Sequence, residues 1–499
     1  MIRLAEIIGS FSLATSAADG FAPDKAIRTS LLATALGRAA GWSGAALNPL
    51  YYAGALRFAG CTGFSVEDTQ LNAGDDIGLR RTMATADVGD PSHFVATVRA
   101  GIGAHLEPNA REATIAGMLR DPAVAVRHGE GQCDAAVYLA RAFGMEPEVL
   151  RALDHKEERW DGRGVPAGVG GAALSPLSRF VAVADFAEIF HRIGGRAEAL
   201  AVLRHRRGAH FDPDVVDRFL NHADALFPLL EAPSPWSRWL EAEPAPARLF
   251  DPDALEGLSR AFAAFVDLKS AWLLGHSEAV SRLAARVAPR LGLDASLLRI
   301  AGRLHDIGRA GISNLVWDKA GPLDAVERAE ADRHSALGAA ILGRTPLLAR
   351  FARWVGEVHT PLAAPGRPGT VSREARLLAV ADAWVALTAA RAWRPAYAPA
   401  DAARILGSEA RSGKFDPEMV AAVVSAAGEL PRRVRWPDGL TRREVDVLRA
   451  LARGRSNKEI AVDLGLSPKT VERHVTRLYA RIGARSRAAA ALWAMEHDL

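Results

Sequence analysis

Two cysteines, Cys61 and Cys133, in 499 residues leave no disulfide framework and no cysteine-based metal cluster to consider. No uninterrupted apolar run approaches the roughly 18 residues that a membrane span requires. The apolar start from Leu4 to Leu13 carries Glu6 and no strongly basic lead, so a signal peptide is not expected either. These absences together point to a soluble protein of a reducing cytoplasm, without membrane attachment. Runs of β-branched residues are also scarce over positions 1–230, which speaks against a sheet.

What is present has the helical period. Ile27, Leu31, Leu32, Ala35 and Leu36 recur at three and four residues, and Gly41, Asn48-Pro49 and Gly60 punctuate such segments as turns. The fold class expected is all-α. A chain of this length exceeds one core, and its charge is unevenly distributed. The net charge is +4, residues 432–499 contribute 15 Lys/Arg against 8 Asp/Glu, a surplus of +7, and the remainder is therefore at −3. A small basic domain on a mildly acidic body suggests a nucleic-acid-binding tail.

Within the body, Leu304-His305-Asp306-Ile307-Gly308-Arg309 places a histidine and an aspartate side by side in an apolar helical run. Burying such a pair is costly without compensation, and a bound cation is a common compensation. Further ligands must then come from other helices, and His276, His334, His359 and Asp382 stand in segments that read as helix or helix edge.

The order His276, His305-Asp306, His334, His359, Asp382 and then Phe415-Asp416-Pro417 resembles the HD superfamily of metal-dependent phosphohydrolases, in particular its all-helical HD-GYP branch, over about residues 251–425. The resemblance implies a centre of one or two divalent ions (iron, manganese or zinc) acting on a phosphodiester, cyclic di-GMP being the best-known substrate of the branch. The chain departs from that pattern at Val358-His359-Thr360, where paired histidines and a glutamate are expected. It departs again at Pro361–Gly369, where an Asp-Gly-x-Gly-Tyr-Pro-like loop is expected, and at Arg309, where lysine is usual.

The body also repeats itself. Ser178–Asp185 mirrors Glu374–Asp382, and Phe211-Asp212-Pro213 mirrors Phe415-Asp416-Pro417. Extended backwards, this register sets His155 against His359 and His128 against His334, the respective histidines standing 27 and 25 positions apart. The first copy keeps Glu158–Pro166, similar to the signature loop, but has Leu56-Arg57-Phe58-Ala59-Gly60-Cys61 in place of the His-Asp pair. His128, His155, Asp161 and Asp185 are its candidate pocket residues, with decay to a scaffold and conversion to a ligand-sensing lobe both open. The expected organisation is a degenerate lobe at 1–230, a proline-rich linker at 231–250, a metal-site lobe at 251–431 and a DNA-binding domain at 432–499.

In the last domain Thr441-Arg-Arg-Glu444 spells a capping box, Ser456 and Gly465 bracket a short helix, and Ser467-Pro468 opens another running to about Ile482. Leu440–Glu444, Arg455–Ala461 and Ser467–His474 resemble the LuxR-type helix-turn-helix domain, which implies four helices, double-stranded DNA as partner and dimerisation through a last helix from Ser486 to Glu496. Lys469, Arg473 and Arg477 share one stripe of the recognition helix. Lys469 and Arg473 are expected at base edges, Thr470, Arg477 and Lys458 at phosphate, and His474 at a phosphate or a neighbouring helix. Two functions remain open: a ligand-responsive transcription regulator with a metal-containing sensor for a small phosphate-containing or nucleotide ligand, or an active phosphohydrolase tethered to DNA.

Overall fold

The computed structural model describes residues 2–121, 123–231, 234–362, 371–428, 436–497 and 499. The chain is all-α: among these residues the strands are two, Ile2–Arg3 and Leu249–Phe250, of two residues each and paired antiparallel. The chain forms two compact units, with the boundary in sequence between Phe250 and Asp251. None of the described helices is long and apolar enough to cross a membrane.

The first unit is built on Leu4–Ala18, Lys25–Ala39, Asn48–Ala55, Val124–Ala142 and Pro176–His205, the last kinked at Gly194-Gly195. Residues 231–250, expected as a linker, belong to this unit. Pro235 does not break structure there but starts a helix, Pro235–Glu241, where its missing N–H costs nothing. Trp239 on that helix is fully buried, stacked on Tyr51 at 4.8 Å, and its indole N–H donates to Ser30 Oγ at 2.9 Å. Residues 232 and 233 of this stretch lie outside the described residues.

The second unit is built on helices Leu255–Asp267, His276–Val287, Ala295–Leu304, Ala325–Leu342, Ala349–Glu357 and Arg373–Thr388; His276, His334 and Asp382 lie on them, His305-Asp306 directly follow Leu304, and His359 lies two residues past Glu357. Their starts are specified locally. Asp294 accepts from Ser296 and Leu297 N–H, Asp324 and Glu327 form a reciprocal capping box, and Ser372 accepts from Ala375 N–H. The repeat is visible in matching contacts: Arg179 pairs with Asp212 in the first unit as Arg376 pairs with Asp416 in the second, and each aspartate caps the helix that follows.

The C-terminal helices are Arg442–Ala452, Asn457–Leu464, Pro468–Ile482 and Arg487–Glu496. Both capping boxes form, at Thr441/Glu444 and Ser456/Glu459, and Gly465 ends its helix in the left-handed region at φ 64°. Val445, Leu448, Leu451, Ile460, Val471 and Leu478 make a separate small core. The basic hinge expected at 432–437 lies outside the described residues up to Arg435.

Candidate metal centre and nucleic-acid interface

Two close helix approaches assemble the second-unit site. A Cβ on Gly302 would lie 2.5 Å from Ser281 Cα, so glycine allows Ala295–Leu304 to seat against His276–Val287 and brings His305 to His276. A Cβ on Gly308 would lie 1.9 Å from the His334 carbonyl oxygen and 2.6 Å from Gly338 N. Only glycine lets the turn Ile307–Gly311 rest on Ala325–Leu342, which sets His334 beside Asp306. Asp382 enters from Arg373–Thr388.

The result is two overlapping groups, His276/His305/Asp306 and Asp306/His334/His359, each with ligand atoms within 4.8 Å of one another. Asp306 belongs to both. Asp382 Oδ1 stands 3.0 Å from His276 Nε2 and 3.8 Å from His305 Nε2, while Asp306 Oδ2 stands 3.3 Å from His305 Nε2 and 3.6 Å from His276 Nε2. His276, His305, Asp306, His334 and Asp382 are buried, and His359 alone of the six is exposed. The structure thus brings together all six residues expected from the sequence.

The donor set fits divalent cations. His276 Nε2, His305 Nε2, both Asp306 carboxylate oxygens and Asp382 Oδ1 are buried without a hydrogen-bond partner, although they face one another. Buried polar atoms are nearly always hydrogen-bonded, so a cluster of orphans converging on one space is what a cation would satisfy. His305 Nδ1–H donates to the Gly302 carbonyl at 2.7 Å and His334 Nδ1–H to the Ala331 carbonyl at 2.5 Å, which leaves each Nε2 lone pair for a ligand. Mixed imidazole and carboxylate donors suit manganese, iron and zinc.

The charges agree. Burial pushes His276 down to about 4 and His334 down to about 3, so both are neutral ligands at neutral pH. Burial also disfavours a charged His305, but the Asp306 and Asp382 carboxylates outweigh it and raise this histidine to about 10. Arg309 meets the charge of Asp306 alone, so the anionic pair calls for a second positive charge, a proton on His305 or a metal. Arg309 Nε lies 2.9 Å from Asp306 Oδ2 with its guanidinium over the Trp317 ring, and Arg391 Nη2 lies 3.4 Å from His276 Nδ1. Sequence reading left Arg391 out because an arginine after a helix end carries no signal of its own. Of Pro361–Gly369, the stretch Ala363–Gly369 lies outside the described residues.

In the first unit the structure corrects the register. Gly54-Ala-Leu-Arg-Phe-Ala-Gly60 matches Gly302-Arg-Leu-His-Asp-Ile-Gly308, since a Cβ on Gly54 would meet Ser30 Cα and one on Gly60 the Gln132 carbonyl and Ala136 N. Gln132, not His128, therefore holds the His334 place. Ser175 N–H donates to His155 Nδ1 as Ser372 N–H donates to Glu357, so His155 matches Glu357 and Glu157 takes the His359 place. Lys25 opens its helix as His276 opens its own. Of the four candidate pocket residues, His128 and Asp185 line the cavity described below; His155 caps a helix, and Asp161 ties the 158–166 loop through Arg159 and Arg163. Paired glycines six residues apart in the two copies, Gly54/Gly60 and Gly302/Gly308, were the signal that would have set the register.

On the C-terminal domain, Lys469, Arg473 and Arg477 are exposed along one face of Pro468–Ile482 and, with Ser467 and Thr470, line a shallow concave surface. Val471 and Leu478 are buried on the opposite face. Thr470 is partly committed, its amide donating to Ser467 Oγ and its hydroxyl 2.8 Å from the same atom. Lys458 is exposed on the preceding helix, and His474 is half-buried.

A family model described as HD domain matches residues 139–215 and 260–419, and that of bacterial regulatory proteins of the luxR family matches residues 438–494. The chain thus carries an HD domain followed by a C-terminal helix-turn-helix domain of the luxR family. It is 29% identical over 441 residues to 3′3′-cGAMP-specific phosphodiesterase 3 of Vibrio cholerae, which spans 86% of this chain and 95% of that one. The crystal structure of a cyclic GMP-AMP specific phosphodiesterase of Vibrio cholerae superposes with a TM-score of 0.61 at 26% identity, covering 86% of this chain and 99% of that one. The transcriptional regulatory protein YhcZ of Bacillus subtilis is 52% identical over 60 residues, 12% of this chain and 28% of that one. This HD-domain chain is thus similar to phosphodiesterases over its body and to a transcription regulator over a short segment.

Proposed function

We propose that the protein is a cytoplasmic DNA-binding regulator whose second unit is a two-metal phosphodiesterase acting on a cyclic dinucleotide. The observation that carries this reading is Asp306, which belongs to two histidine-bearing triads at once, its Oδ2 toward His276 and His305 and its Oδ1 3.8 Å from His334 Nε2. In this reading His276, His305, Asp306 and Asp382 hold one ion, and Asp306, His334 and His359 hold the other. When bound, such a pair supplies Lewis acidity and a water acidified into the neutral range. The chain's own groups do the rest. The apolar walls around His276 and His305 exclude bulk water, the exposed His359 marks the side from which substrate approaches, and Arg309 offers its charge to a phosphoryl oxygen. Cyclic dinucleotides are favoured as substrate because the relatives sharing most of the chain are named for 3′3′-cGAMP.

The C-terminal domain in this proposal binds double-stranded DNA as a homodimer. Lys469 and Arg473 approach base edges, and Thr470, Arg477, Lys458 and His474 hold the backbone. Incubation of the purified chain with 3′3′-cGAMP and manganese, followed by chromatography of the products, tests the enzyme: linear product from the wild type and none from Asp306→Ala is expected. A second reading, a metal-containing sensor without turnover, is favoured by the lone histidine in Val358-His359-Thr360, and recovery of intact cyclic dinucleotide from a saturated complex would select it.

A further inference from the structure

The first unit has lost a metal site and gained something in its place. Lys25 stands where His276 does, Arg57 where His305 does and Phe58 where Asp306 does, so fixed positive charges occupy the ligand positions and would repel a dication. These cations are held by carboxylates that remain: Arg57 reaches Asp185 at 3.3 Å and Glu157 at 3.1 Å, and Lys25 reaches Asp185 at 3.6 Å. Lys156 adds a third, 2.9 Å from Glu157 and donating to Gln132 Oε1 at 2.7 Å.

Above this floor the first unit carries four helices, Ser65–Leu71, Asp76–Met83, Pro91–Gly101 and Pro108–Leu119, between Gly60 and Val124–Ala142. In the second unit the same interval, Gly308 to Ala325, holds only the end of the turn Ile307–Gly311 and the single helical turn Asn314–Trp317. The inserted helices have their own core of Leu79, Val98, Ile102, Ile115 and Met118. They are fastened to the unit by buried arginines: Arg80 joins Asp68, Asp76 and the Ala18 carbonyl, Arg159 joins Asp87 at 2.6 Å, and Arg206 donates to the Thr85 carbonyl. Between roof and floor lies a cavity of about 180 Å³. Leu79, Met83, Val88, Phe94 and Met118 face it from the insert, and Lys25, Arg57, Gln132, Lys156 and Asp185 from below.

A cavity lined by apolar side chains forfeits protein packing contacts, and a lobe that had decayed to scaffold has no reason to build one with four added helices. An apolar pocket with a few convergent polar groups is the usual form of a small-molecule site. Five cationic side chains line it (Lys25, Arg57, Arg80, Lys156, Arg159); Arg80 and Arg159 are held by Asp68 and Asp76 and by Asp87 and Asp161, while Lys25, Arg57 and Lys156 converge on the floor with Asp19, Glu157 and Asp185 as their partners. Burial pushes the Asp68 carboxyl up to about 8, and burial keeps His128 down at about 4 and therefore neutral.

We propose that the first unit is a metal-independent binding site for a small amphiphilic anion, its phosphate or carboxylate on Lys25, Arg57 and Lys156 and its apolar body beneath the inserted helices. The test is calorimetric titration of the full chain with 2-naphthyl phosphate, with neutral 2-naphthol as comparison. Variants are Arg57→Met, which removes a floor cation, Val88→Trp, which plugs the mouth from a position 44% exposed and so leaves the fold intact, and Asp306→Ala, which disables the second-unit centre. The expected result is one site per chain with a dissociation constant below about 1 mM, at least about tenfold weaker for 2-naphthol, unchanged in Asp306→Ala and weakened at least about tenfold in Val88→Trp and Arg57→Met. If Arg57→Met does not fold, Val88→Trp decides. Absence of saturable binding, equal binding of 2-naphthol, or binding that survives Val88→Trp and disappears in Asp306→Ala would each overturn the proposal.

Discussion

The two units solve the same electrostatic problem in opposite ways. Each buries an aspartate, Asp185 or Asp382, at the same point of the repeated fold. The first neutralises it with the fixed cations Lys25 and Arg57; the second surrounds it with histidine nitrogens, neutral at His276 and protonated at His305 until a metal displaces that proton. The backbone frame is indifferent to that choice. Glycines at 54 and 60, and at 302 and 308, hold the same helix approaches in both, so the scaffold was kept while the chemistry diverged.

The comparison can be broken first at the scaffold. Trp239→Ala empties a fully buried indole position and should cost the first unit about 3–5 kcal/mol, read as an early transition in denaturant unfolding, while metal binding in the second unit persists. Gly60→Ala and Gly308→Ala each force a methyl into a backbone contact under 2 Å and should destabilise by about 1–3 kcal/mol or more. They should part company in metal analysis, where Gly308→Ala alone lowers metal content because it pushes His334 from Asp306.

A pH series sharpens the contrast. His305 is raised to about 10 in the folded, metal-free chain against an ordinary value of about 6.5. Its contribution to stability is therefore complete below about pH 6.5 and is lost as pH rises through about 10. Metal must displace that proton, so apparent affinity should climb by up to about tenfold per pH unit from neutrality toward 10, with about one proton released. A flat profile in buffered metal titrations would mean that His305 is not a ligand. The C-terminal domain supplies the smaller effects. Arg473→Ala should lose about 1–3 kcal/mol on the cognate site with little change on random duplex, and Lys458→Ala should weaken both alike and lower the salt slope by about one.

Sequence patterns exposed the helical class, the capping boxes and the six second-unit side chains, because each rests on local residue type or on charged groups that are conspicuous in apolar surroundings. Register was harder. His128 and His155 drew the pairing toward residue identity, whereas the fold aligns backbone contacts, and Gln132 and Glu157 carry no metal-site signature. The proline-rich stretch misled for a related reason: Pro235 reads as a breaker until it is seen at the first turn of a helix whose Trp239 fills the core. The four-helix roof over the first-unit cavity is a tertiary fact, since nothing in residues 65–119 announces what they cover.

Elemental analysis of the purified full chain tests the central claim most directly. Two equivalents of manganese, iron or zinc per chain are expected in the wild type, with essentially none in Asp306→Ala and no change in Asp185→Asn. A metal-free wild type whose melting temperature ignores all three added ions, or metal that survives Asp306→Ala, would contradict the account.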